Sequence, residues 1–134
     1  MSYIQKDLDF GLKSELSLKS RIEKHFNVKM HSATLFSIFD FTSNDMYLEV
    51  KTRRCTKHQY RDTMVGYNKI KKGLELLKEG YKVIFLFSFQ DVISYFELKK
   101  PVNSKWIRKG GRWDRGRYEI KDYCFIPTSL LSDF

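Results

Sequence analysis

Apolar residues at Leu12, Leu16, Ile22 and Phe26 recur at helical spacing with charged residues between them. That pattern predicts an amphipathic helix from Asp9 to Phe26. Asp9 serves as its N-cap, where negative charge meets the positive end of the helix dipole, and Asn27 ends it. The apolar run Leu35 to Phe39 then closes on Asp40, the polar stretch Thr42-Ser43-Asn44-Asp45 predicts a turn, and Met46 to Arg53 predicts the returning strand. A second stripe, Tyr60, Met64, Tyr67, Ile70, Leu74 and Leu77, falls at spacings of three and four. It predicts one long helix from about Gln59 to Glu79, ended by Gly80. The run Val83 to Phe89 is apolar without alternation, as expected of a central strand covered on both faces. Gln90-Asp91 predicts a turn into a strand from Val92 to Leu98, and Tyr118 to Ile126 a last strand that Pro127 ends.

The predicted order is therefore α-β-β-α-β-β, an α/β fold with a mixed sheet and flanking helices in a single domain. Residues 1–98 form its core, and residues 99–134 add a basic aromatic loop or hairpin and a C-terminal strand of the same domain. A chain of 134 residues suffices for one core, and its 42% hydrophobic and 16% aromatic content argues against disorder. The first residues lack the apolar core of a signal peptide, and no apolar run is long enough to span a bilayer. An intracellular protein is expected, cytoplasmic or associated with nucleic acid, not secreted and with no membrane partner. Cys55 and Cys124 lack metal-ligand spacing and are expected as reduced thiols, and His25, His31 and His58 define no zinc site.

Charge changes this picture. The chain carries 25 basic and 16 acidic residues, a net charge of +9. The surplus concentrates between residues 99 and 122, where nine basic side chains face three acidic ones. There Lys105, Trp106, Arg108, Lys109, Arg112, Trp113, Arg115 and Arg117 interleave cations with aromatics around glycines. Basic groups neutralise phosphates, and Trp stacks on unpaired bases, so these eight residues, with Arg53 and Arg54 after the first hairpin, are the candidate nucleic-acid contacts. The bland alternative is an exposed basic turn whose tryptophans cover a sheet edge.

Candidate chemistry sits on the first hairpin. Side chains of a strand alternate faces, so Glu49, Lys51 and Arg53 point one way and Leu48, Val50 and Thr52 the other. Asp40, before the turn, would bring a second carboxylate beside the Lys51 ammonium. Hard cations such as Mg2+ prefer carboxylate oxygens, and a lysine beside one can orient water or neutralise charge on a phosphate. Glu15 falls inside the apolar stripe of the first helix, where a carboxylate needs a metal or a partner; Lys19 is the alternative partner and Glu23 the alternative acid. Acid-x-Lys recurs at Glu97-Leu-Lys99 and Glu119-Ile-Lys121, but neither is preceded by a helix and an acid-bearing hairpin and followed by a helix. Asp45 rivals Asp40, yet it stands where Asp is favoured by turn chemistry alone.

Asp40, Glu49 and Lys51 in this setting resemble the PD-(D/E)XK nuclease superfamily, over residues 8 to 98. Phe39 stands where the signature has proline, and the glutamine-tyrosine motif of some exonuclease branches is absent. The resemblance implies a restriction-endonuclease-like core and a small resolvase-like, viral or phage endonuclease. It implies that Asp40, Glu49 and Glu15 bind Mg2+ or Mn2+, with Lys51 catalytic. DNA, in structured or branched form, is the favoured substrate and a homodimer the associated assembly. A non-catalytic nucleic-acid-binding module and an RNA-directed nuclease stay open as alternatives.

Overall fold

The computed structural model describes residues 18–32, 41–43, 45–114 and 117–134. Asp9 to Ser17 of the expected first helix lie outside them; residues 18–26 are helical and form α1. Leu18 and Ile22 are buried and Phe26 half-buried, one stripe at helical spacing. Asn27 ends the helix with a left-handed backbone (φ 53°). Asparagine tolerates that region better than most residues.

Nine strands follow among the described residues. β1 (His31–Ser32), β2 (Phe41–Thr42), β3 (Met46–Thr52), β5 (Lys82–Ser88), β6 (Ile93–Leu98) and β9 (Ser132–Asp133) form one sheet in the order β1-β2-β3-β5-β6-β9. β3 and β5 run parallel and the other pairs antiparallel, so the sheet is mixed as expected. β5 is its middle: Val83, Phe85 and Phe87 fill the core on one face, Ile84 and Leu86 the core that α1 covers on the other. Burial on both faces is why this strand reads as an unbroken apolar run.

The long helix expected from Gln59 to Glu79 is corrected. Its first third is β4 (Asp62–Gly66), and the helix α2 spans Tyr67–Lys78. β4 buries Thr63 and Val65 in alternation and pairs antiparallel with β8 (Arg117–Pro127), from Asp62↔Pro127 to Gly66↔Tyr123. A spacing of four from Tyr60 to Met64 fits strand and helix alike, since four is also an even number of strand steps. The pairing partner some sixty residues on decides between them. β8 pairs on its other side with β7 (Ile107–Asp114), making a second sheet in the order β4-β8-β7.

α2 keeps the expected face, with Ile70 and Leu76 buried and Leu74 and Leu77 half-buried against β5 and the second sheet. Gly80 ends it as expected, at φ 94°; its N–H reaches the Leu77 carbonyl at 3.0 Å and that of Tyr81 reaches Leu76 at 3.0 Å. This is a Schellman closure, which needs a left-handed residue after the helix. Connecting parallel β3 and β5, β4 and α2 form the crossover that parallel pairing requires. That crossover lays α2 across the face of β3 that carries Glu49.

Candidate functional site

The turn between β2 and β3 is built from its own polar groups. Ser43 N–H donates to the Met46 carbonyl at 2.8 Å, and Ser43 Oγ donates to Asp45 Oδ1 at 3.1 Å. Asp45 is thus a turn residue, and the register places Phe41 opposite Leu48. Asp40, the chain neighbour of Phe41, lies outside the described residues, as does Glu15.

Alternation along β3 works as the pattern demands. Leu48 packs toward α1, while Tyr47 and Glu49 face α2. Glu49 is only 3% exposed, and a carboxylate taken that far from water requires compensating charge. Two lysines supply it: Lys51 Nζ lies 3.3 Å from Oε1 and Lys69 Nζ 3.2 Å from Oε2. Lys51 shares the strand face two residues on; Lys69 descends from the first turn of α2. The lysine side chains are 35% and 22% exposed, so the buried carboxylate lies beneath two partly exposed cations.

Lys69 stands in the sequence as one of several charges beside the second apolar stripe. Nothing in periodicity singles it out, because its partner sits across the crossover. Among the described residues, no three His, Cys, Asp or Glu side chains cluster to hold a metal ion. Glu49 nonetheless suits a hard cation in chemistry, as a buried carboxylate oxygen donor. One carboxylate is at most one ligand, and a full set needs further acids, for which the sequence offers Asp40 and Glu15.

The remaining candidates divide by use. Arg53 turns into the protein: its Nε donates to Thr63 Oγ1 at 3.3 Å, its Nη2 to the Met64 carbonyl at 2.5 Å, and its guanidinium lies 6.0 Å from the Phe87 ring centroid. Burial lowers its pKa. Trp106 sets its ring edge-on to Phe96 at 6.2 Å, so at least one side of it serves the core. Arg108 lies 4.0 Å over the Phe125 ring and 3.0 Å from Asp62 Oδ2. Arg54, Lys105 and Lys109 are exposed. Arg112, Trp113 and Arg117 occupy β7 and β8 opposite Glu119, Tyr118 and Asp114; Arg115 lies outside the described residues.

Three other groups resolve as packing. His25 stacks on Phe134 at 4.3 Å and meets Phe26 and Tyr95 edge-on. Glu23 Oε2 accepts from Met30 N–H at 3.0 Å. Cys55 and Cys124 are free, and burial pushes the Cys124 thiol up to about 11.

An α/β domain with a mixed sheet, and an acid-x-lysine triplet on the returning strand of its first hairpin, is the frame of a PD-(D/E)XK nuclease. Over residues 5–134 the chain matches the family described as "Phage putative PDDEXK endonuclease", and it belongs to that family. The superfamily resemblance read from Asp40, Glu49 and Lys51 is borne out at that level. No curated protein and no solved structure matches the chain.

Proposed function

We propose that the chain is a divalent-metal-dependent endonuclease acting on DNA, with Asp40, Glu49 and Glu15 as ligands of Mg2+ or Mn2+ and Lys51 as the catalytic lysine. The observation that carries this reading is the 3%-exposed Glu49 carboxylate held between Lys51 and Lys69 in a chain of an endonuclease family. When bound, the metal supplies an activated water and stabilises the leaving oxygen. Lys51, the more exposed of the two lysines, is placed to meet a phosphate oxygen or the attacking water, and Lys69 pairs with the carboxylate and orients it.

The proposed nuclease core comprises α1, β2, β3, α2, β5 and β6, the α-β-β-α-β-β order, with β1 added before β2 and β4 before α2. Residues 99–134 are its basic appendage within the same domain. Structured or branched DNA and a homodimer are the form of substrate and assembly that the resolvase-like branch suggests, and the working place is inside the cell. Among the described residues no helix is long and apolar enough to cross a membrane.

One observation favours a second reading: both Glu49 oxygens already have lysine partners, as in a structural ion network of a non-catalytic binding module. The test is cleavage of labelled single-stranded, duplex and four-way-junction DNA, and of RNA, with Mg2+, Mn2+ or EDTA, by the wild type and by Asp40→Ala, Glu49→Ala and Lys51→Ala. Metal-dependent cutting lost in the carboxylate variants is expected. Normal cutting by Glu49→Ala would remove the site, and preferential cutting of RNA would reassign the substrate.

A further inference from the structure

The β7–β8 hairpin outruns the sheet it belongs to. β4 accompanies β8 as far as Gly66↔Tyr123, where the chain leaves as α2. β7 stays with β8 beyond that point, from Lys109↔Asp122 to Asp114↔Arg117. Residues Lys109–Asp114 and Arg117–Asp122 therefore pair only with each other among the described strands. At a strand rise of about 3.3 Å per residue this two-stranded ribbon extends about 20 Å past the end of β4.

Its root is fastened. Arg108 ties it to Asp62 and Phe125, as described above. At Gly110 an added Cβ would come within 2.9 Å of Tyr123 Cδ2, so the glycine lets the Tyr123 ring lie across the ribbon. From Lys105 to Asp122 the chain holds seven basic and three acidic residues. Lys121 also lines a recess with Asn68 and Lys71 of α2, the helix whose first turn delivers Lys69 to Glu49. Asp122 lines the same recess. Lys69 and Lys71 lie about 200° apart around the helix, so the candidate site and the ribbon border α2 on different sides of its first turns.

We propose that this ribbon enters the major groove of duplex DNA and holds it for the candidate site, a reading that rests on the proposed DNA nuclease. Two strands about 4.8 Å apart, with their side chains, match the roughly 12 Å width of the B-form major groove. The deep, narrow major groove of an RNA duplex does not admit such an element. Binding of a single strand would lean on base stacking, and of the two candidate tryptophans Trp106 has already set its ring against Phe96.

The test is fluorescence anisotropy of the wild-type chain in EDTA with labelled duplex DNA, one strand of it alone, and the corresponding RNA duplex. Duplex DNA is expected to bind about ten-fold more tightly than either, and Arg112→Ala with Arg117→Ala to weaken it about ten-fold while lowering the salt slope by about two. Bulky substituents at pyrimidine C5, which fill the major groove, are expected to weaken wild-type binding, whereas a minor-groove ligand is not. That comparison needs no variant, so misfolding cannot imitate it. Equal affinity for the C5-substituted duplex, unchanged binding by the double variant, or preference for single strands or RNA would each overturn the ribbon inference. Glu49-dependent cutting alongside ribbon-independent binding would overturn it and leave the nuclease standing. Ribbon-dependent duplex binding with no metal-dependent cutting would do the reverse.

Discussion

Lys69 of α2 meets Glu49 Oε2 at 3.2 Å, while Lys51 of β3 meets Oε1 at 3.3 Å, so one buried carboxylate joins the helix to the strand beneath it. Lys69→Met should destabilise the fold by about 1–3 kcal/mol, the usual effect of removing one partner from a buried charged hydrogen bond. Under the proposed function it should also tighten Mn2+ binding, because a competing cation leaves the carboxylate. Urea denaturation and a Mn2+ titration followed by thermal shift measure the two effects. A Mn2+ response identical in wild type, Lys69→Met and Glu49→Gln would sink Glu49 as a ligand.

Arg53 is predicted to support the fold. Arg53→Ala removes two hydrogen bonds to the β4 segment and a contact with Phe87, and should cost about 2–3 kcal/mol in denaturant unfolding. The salt dependence of DNA binding by the folded variant should match that of the wild type. A shallower salt slope would return Arg53 to the phosphate contacts.

The C-terminal strand carries a pH-dependent tie. Asp133 accepts from Lys57 Nζ and Ser94 Oγ, both at 2.5 Å, and these hydrogen bonds hold its carboxyl below the ordinary value of 3.8. A depressed folded pKa gives stability that is present above the unfolded value and lost as pH falls through the folded one. Asp133→Asn should therefore lower the urea midpoint at neutral pH, and the difference from wild type should shrink as the pH drops below 3.8. A difference that stays constant through that range contradicts the ionic tie.

Tyr60 tests the strand that replaced the expected helix. It is 60% exposed, whereas a helix over Gln59 to Glu79 would have placed it on the core stripe. Tyr60→Ala should change stability by no more than about 0.5 kcal/mol, and Val65→Ala by about 1–3 kcal/mol. Comparable large losses at both positions would restore the helix.

Local pattern carried much of the fold. The apolar run of β5, the turn at Ser43, the Gly80 closure and the facing of Glu49 with Lys51 all follow from side-chain alternation and turn chemistry within a few residues. The basic segment was visible as composition, but its strand register and its extension past β4 were not.

What the sequence determined alone was the set of segments able to bury one face, and a charged triplet on a strand that must face something. Tertiary structure decided what it faces. The crossover lays α2 over β3, which brings Lys69 to Glu49 from twenty positions away. Pairing with β8 makes a strand of residues whose spacing also fitted a helix, and draws Arg53 to the Met64 carbonyl. Such choices depend on hydrogen bonds and charge compensation between distant segments, and these exist only once the chain has closed on itself.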